Sequence, residues 1–326
     1  MSATRTTVVS PLNPAQQEII DRLRGTRDER PAYDAELRHH IRATLEHGTA
    51  DAAAELGPNQ TIFVSKSRLA GVHGCEERFV LDDFSWSIPA ARGKVAHKAI
   101  EYALNVREAP VPLRLVDDAL ARLESNDDSF GQWLQGLDEI ERAELRGEVN
   151  ERVTQFLECF PSLPRSWRPG TEMAIRQDLH GGKIVLSGRV DLTIGVPDGL
   201  VAGKVIIDLK TGNPRAVHFD DLRFYALIET MRLGTPPLRL ASYYLDQGTM
   251  HPEDVSEALL ESAAKRTIDG VVKMIELEML ARPPRRSPSA LCRWCPVLPN
   301  CTDGTSWLAN RDDTSDDPRG GDDSNG

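Results

Sequence analysis

Apolar positions recur at helical spacing through the first half of the chain and switch to alternation in the second. "NPAQQEIIDRLRG" predicts a helix with Asn13 as N-cap, Pro14 at the first helical position and Gly25 as a stop. "YDAELRHHIRATLEHG" repeats the period; its adjacent His39 and His40 point to different faces and read as surface histidines. "TIFVSKSRLAGVHGCEERFVL" begins as a strand and becomes a loop or short helix carrying Cys75. "ARGKVAHKAIEYALN" predicts a helix with Val95, Ala99, Ala103 and Leu104 on its apolar side and His97 within it. Residues 112–160 read as helical almost throughout, with a break near "SNDDS". Cys159 falls in the apolar stretch "VTQFLECF", which predicts a buried core thiol.

Then the period shortens to two. "TEMAIRQDLH", "GKIVLSGRVDLTIGV" and "GKVIIDLKTG" predict strands rich in Val, Ile and Thr, separated by Gly-rich turns. "AVHFDDLRFYALIETMRLG" returns to helical spacing and stops at Gly234, and "RLASYYLDQG" predicts another strand. "PEDVSEALLESAAKRTIDGVVKMIELEML" predicts a long helix with Pro252 near its first turn; "ARPPRRSPSA" ends it, and a cysteine cluster follows. The order of elements predicts one elaborated domain with a mostly antiparallel sheet.

Composition narrows the class. The 326 residues are 40% hydrophobic and 27% charged, which suits a soluble protein with a sizeable core. No apolar run approaches the roughly 20 residues of a membrane span, and "MSATRTTVVSPLNPAQQ" lacks a signal-peptide core, so a cytoplasmic protein without a membrane partner is expected. The net charge of -11 argues against nonspecific coating of nucleic acid but leaves room for a local basic groove, for which Arg282, Arg285, Arg286 and Arg293 are candidates. The tail from Arg311 holds six Asp and two Arg and predicts disorder. "LNPAQQ" is followed by no phosphate-binding loop, which excludes an ATPase.

The chemistry lies in "SGRVDLTIGVPDGLVAGKVIIDLKTG". Alternation puts Asp208 and Lys210 on one side of a strand and Leu209 on the other. Burying this pair after the apolar run "KVII" is costly unless its members pair or bind something. If the two strands form a hairpin, Asp191 and Asp208 converge on one cation. Carboxylates with water suit Mg²⁺ or Mn²⁺, and a nearby lysine orients an attacking water or stabilises a phosphodiester in transit. A strand-end salt bridge is the plain alternative.

"GRVD" followed by "DLKTG" resembles the PD-(D/E)XK nuclease superfamily, in particular its RecB-like branch. "RGKVAH" matches that branch's G-x-x-x-H element through Gly93 and His97. Its Q-x-x-x-Y element is met by Tyr225, with Asp221 where Gln is usual. The resemblance spans residues 60–303. It implies a restriction-endonuclease-like α/β fold, a central mixed sheet flanked by helices, with a helical N-terminal part (1–59), a helical insertion (about 108–165), an iron–sulfur lobe and a disordered acidic tail (304–326). It implies His97, Asp191 and Asp208 as ligands of Mg²⁺ or Mn²⁺, Lys210 as the catalytic lysine, and Tyr225 beside the DNA path, with Glu172 where many relatives place an acid. Asp221 in place of Gln puts a DNA contact in doubt and invites pairing with Arg223 or another basic group. The implied activity is metal-dependent DNA hydrolysis, as an exonuclease on single-stranded or unwound ends, with a helicase partner in repair or recombination. A DNA-binding scaffold with a vestigial site is the alternative.

Cys292, Cys295 and Cys301 form C-x2-C-x5-C, three-quarters of a four-ligand site. Cys159 would have to leave an apolar helix to complete it, whereas Cys75 lies in the Gly-flanked "GVHGCEERF". RecB-like relatives place one cysteine upstream of the core and three downstream. The resemblance therefore implies a [4Fe–4S] cluster on Cys75, Cys292, Cys295 and Cys301, with zinc as the alternative metal. Such a clasp closes a loop of roughly 220 residues, which gives it leverage over the unfolded chain.

Overall fold

The computed structural model describes residues 11–24, 30–81, 85–106, 109–126 and 128–315. The expected disorder of residues 1–10, the stop at Gly25 and the tail beyond Ser315 lie outside them. The strands are β1 (Ile62–Val64), β2 (Gly170–Leu179), β3 (Ile184–Ile194), β4 (Val205–Lys210), β5 (Arg239–Tyr244) and β6 (Thr249–Asp254). They form one mixed sheet of order β1-β3-β4-β5-β6, with β2 also pairing β3. β1–β3 and β4–β5 are parallel; β2–β3, β3–β4 and β5–β6 are antiparallel.

Helices cover both faces. On one side lie α2 (Leu37–Gly48), α3 (Ala50–Glu55), α4 (Lys66–His73), α10 (Ala216–Leu233) and α11 (Glu257–Glu278), whose apolar residues share a core with Ile206 of β4. On the other lie α1 (Pro14–Arg24), α6 (Ile88–Asn105), α7 (Pro112–Glu124), α8 (Ser129–Gln135) and α9 (Glu139–Cys159), packed with Val205, Ile207 and Leu209. β4 is thus buried on both faces and reads as a continuous apolar run until Asp208. The remaining helices, α5 (Glu76–Leu81) and α12 (Thr302–Ser315), belong to the cysteine-bearing lobe.

Three expectations are corrected. The helix read from Pro252 begins at Glu257, capped by the Ser256 hydroxyl accepting from Leu259 N–H, and Pro252 lies in β6. β6 is the sheet's edge, where a proline need not donate to a ladder. Residues 304–315, read as part of an unstructured tail, continue α12. On α6 the fully buried side is Ala91, Val95, Ala96, Ala99 and Ile100, with Ala103 and Leu104 only half-buried.

Two glycines carry specific duties. Gly234 ends α10 in the left-handed region (φ 85°), as a helix C-terminus favours. A Cβ on Gly188 would lie 2.4 Å from the Tyr225 ring, so only glycine lets Tyr225 of α10 lie across β3. The glycine of "GRVD" and the tyrosine of α10 are two sides of one contact.

Candidate active site

The β3–β4 ladder pairs Ile194 with Val205, Thr193 with Ile206 and Leu192 with Ile207, and stops there. The next step in register would set Asp191 against Asp208, where the strands part. The Leu209 N–H, which the ladder no longer satisfies, donates to Asp191 Oδ2 at 2.7 Å. The expected hairpin therefore sets Asp191 beside the backbone that follows Asp208, where its carboxylate caps the open N–H.

Strand β2 shows a matching irregularity. Its pairing with β3 runs unbroken except at Glu172, opposite Asp191, and Glu172 is left-handed (φ 51°), a conformation costly for a non-glycine residue. The burial phase of β3 also inverts here: Ile184, Leu186 and Val190 face the first core, Leu192 and Ile194 the second. The distortion aims Glu172 at the site. Donor atoms of His97, Glu172 and Asp191 lie within 4.8 Å of one another, with His97 Nδ1 3.4 Å from Asp191 Oδ1. Burial disfavours imidazolium at His97, but the facing Asp191 carboxylate outweighs it and raises the affinity for a proton. Burial and then the Asp191 charge push Glu172 upward.

Asp208 stands apart from that trio. It is 1% exposed and flanked by two ammonium groups: Lys66 Nζ donates to Oδ1 at 2.5 Å, and Lys210 Nζ lies 2.7 Å from Oδ2. Burial opposes its ionisation, but Lys66 and Lys210 together hold it well below the usual carboxylate range. Lys210 also donates to Asp221 Oδ2 at 2.8 Å. The Lys210 ammonium is the contact of the buried Oδ2 of Asp208: it lies 2.7 Å away, outside regular hydrogen-bond geometry, so this oxygen is met by charge and not by an aligned donor.

Asp221, expected to pair with Arg223 or another basic group, takes the second course and holds Lys210; Arg223 pairs with Glu253 and Asp220. Tyr225, expected beside a DNA path, is 2% exposed and donates to the Arg189 carbonyl at 2.9 Å. Its burial follows from the groove at Gly188, so it supports the site from beneath and offers no surface. Burial raises its phenol to about 12. Lys66 was not singled out in the sequence. It follows the buried Val64 at the end of β1, a charge directly after an apolar strand, the same signal that marked D-x-K.

The cysteine lobe is assembled from both ends of the matched region. A Cβ on Gly304 would lie 3.4 Å from Cys301 Sγ and 3.5 Å from Cys292 Sγ, so these two sulfurs share one cradle at the glycine. Gly304 N–H donates to Cys301 Sγ and Ser289 N–H to Cys292 Sγ, both at 3.3 Å. Glu76, the residue after Cys75, accepts from Arg282 at 2.5 and 3.0 Å and from the Arg285 N–H at 2.9 Å; among the described residues no three of the cysteine sulfurs lie within 4.8 Å of one another. Arg282 and Arg286 are thus committed to acids, Arg286 facing Glu77 at 3.3 Å, and neither is a free basic surface. Cys159 is only half-buried, against the expected core position, and lies at the β5–β6 turn: a Cβ on Gly248 would meet its sulfur at 2.8 Å. It belongs to another part of the fold.

No helix among the described residues is long and apolar enough to cross a membrane. A family profile described as "PD-(D/E)XK nuclease superfamily" matches residues 64–302. No curated protein sequence matches the chain. Among solved structures, a provisionally assigned exonuclease from Eubacterium rectale is similar at 13% identity and a TM-score of 0.46, over 85% of this chain and 94% of that one. Rai1 from Scheffersomyces stipitis is similar at 12% identity and a TM-score of 0.25, over 77% and 68%. Superposition at this level is loose, so the assignment rests on the sequence match.

Proposed function

This chain belongs to the PD-(D/E)XK nuclease superfamily, and from that premise we propose that it is a RecB-like, metal-dependent deoxyribonuclease, an exonuclease on single-stranded or unwound DNA ends. The observation that carries the reading is the His97, Glu172 and Asp191 trio, whose ligand atoms lie within 4.8 Å of one another, next to the buried Asp208–Lys210 pair.

Asp191, Asp208, Glu172 and His97 would hold Mg²⁺ or Mn²⁺; carboxylates dominate the set, as hard cations prefer. When bound, such a cation supplies positive charge opposite the charge developing on the phosphodiester. The chain's own groups do the rest. Lys210 orients the attacking water and donates to the phosphate. Asp221 keeps the Lys210 ammonium charged and aimed. Asp191 fixes the Leu209 backbone, so the carbonyl of Leu209 is held at the same strand end. Tyr225 and Gly188 set the floor.

The downstream cysteines and Cys75 form a clasp for a [4Fe–4S] cluster, with zinc as the rival metal. The open cradle at Gly304 and the Glu76–Arg282 bridge support a shared site. Its work is structural, closing the chain around the nuclease core. The chain carries no motor motif, so a helicase that unwinds ends for repair or recombination is the fitting partner.

Digestion of end-labelled single- and double-stranded DNA, with circular controls, tests the activity. Wild-type protein with Mn²⁺ shortens labelled linear DNA and spares circles, and Lys210→Ala is inactive; Lys210→Ala as fast as wild type would sink the reading. Anaerobically purified wild-type protein should be brown and Cys75→Ser colourless, whereas a colourless wild type containing zinc selects the other metal.

A further inference from the structure

Lys66 is a charged group on Asp208 that neither the D-x-K pattern nor the proposed chemistry uses. It is the first residue of α4, directly after the N-cap Ser65, and its side chain crosses to β4 to donate to Asp208 Oδ1. The two ammoniums on Asp208 are held differently. Lys210 is 14% exposed and has a second acid, Asp221, to hold it in place. Lys66 is 26% exposed, and among the described residues Asp208 is its carboxylate partner. Its other support is the Tyr225 ring, 5.0 Å from Nζ, which attracts a cation without fixing its direction. A long flexible stem with one solvent-facing side lets Lys66 leave where Lys210 stays.

We propose that Lys66 is a tethered counter-ion that competes with the divalent cation for Asp208 and so sets the metal affinity of the site; this rests on the metal-site reading above. The physical ground is valence. Asp208 already faces two positive charges, and a divalent ion at its Oδ2 meets repulsion from an ammonium held 2.5 Å from Oδ1 of the same carboxylate. Lys66 therefore weakens binding unless it withdraws toward solvent, at the cost of its ion pair. In exchange, the metal-free protein keeps a buried carboxylate neutralised. Lys66 is thus a positioning residue, acting through Asp208.

The test is titration of the full-length protein with MnCl2 alone, by calorimetry and by the loss of the free Mn²⁺ electron-spin signal. Lys66→Met keeps the apolar stem and removes the charge, and it should bind Mn²⁺ at least about tenfold more tightly than wild type. Lys66→Arg should stay near wild type. Lys66→Gln provides a second neutral variant should the Met variant fold poorly, as judged by thermal melting. Equal or weaker affinity in both neutral variants, with wild type binding normally, overturns the role of Lys66 and leaves the metal site standing. Absence of Mn²⁺ binding in every variant overturns both. Tight binding in the neutral variants, lost again on adding Asp208→Asn, supports both.

Discussion

Two lysine–carboxylate clusters flank the same central strand, and they are built on opposite terms. At the start of β4, Lys204 donates to Glu229 Oε2 at 2.8 Å, while Arg232 donates to both oxygens of Glu229 at 2.9 and 3.0 Å. Glu229 is fully buried and every acceptor is met by an aligned donor. At the end of β4, Asp208 is as deeply buried, yet one oxygen has no aligned donor, a neighbouring acid is left-handed, and one of its two cations reaches solvent. A closed network rigidifies a fold, whereas an incompletely satisfied one keeps capacity for a ligand. The contrast teaches that burial of charge alone does not mark a site: the second cluster adds a left-handed acid, a lysine shared between two acids and a trio of close ligand atoms.

The sharpest way to break this comparison is to remove one acid from each cluster. Glu229→Gln strands Lys204 without a counter-charge and should cost about 3–5 kcal/mol of stability, read by urea denaturation, while the folded fraction digests DNA at the wild-type rate. Asp208→Asn should weigh on activity instead, lowering it about a hundredfold or more, at a smaller cost in stability than Glu229→Gln because Lys66 reaches solvent and Lys210 keeps Asp221. If both variants lose stability alike, the two clusters are of one kind.

A smaller effect is expected at Asp221. Asp221→Asn keeps the shape but weakens the hold on Lys210, and activity should fall about tenfold in a digestion assay, with Mn²⁺ affinity unchanged. The smallest effect concerns His218, whose Nδ1 lies 3.0 Å from the Tyr244 hydroxyl. Burial, then the charge of Lys210, lowers its proton affinity to about 4. The unfolded chain takes up that proton near pH 6.5 and the folded one does not. Stability from this group is therefore complete above pH 6.5 and declines as the pH falls toward 4. His218→Asn should flatten that part of a melting-temperature profile, with the wild-type level unchanged at pH 8.

Much of the fold was legible because local pattern and tertiary role agree. "KVIIDLK" reads as a buried strand ending in charge, and β4 is that strand. Asp191 lies 3.4 Å from His97 because a hairpin and one packed helix are enough to bring them together. Elsewhere local signals were weak or misleading. Pro252 looks like a helix start but tolerates an edge strand. Glu172 points at Asp191 only because its backbone is left-handed, which period-two alternation does not foresee. Asp221 pairs with Lys210 through the angle at which α10 crosses β4, and no spacing rule encodes that angle.

Periodicity and glycine placement determined the helices and the central strand, which depend on interactions between near neighbours, and the acidic motifs carried the resemblance to the family. Tertiary structure alone decided that Lys66 faces Asp208 across 142 residues of chain, that Tyr225 lies beneath the site, and that Glu76, next to Cys75, meets Arg282. Those contacts join segments remote in sequence. Their geometry follows from how helices pack on a twisted sheet, a property of the whole chain that no short stretch contains.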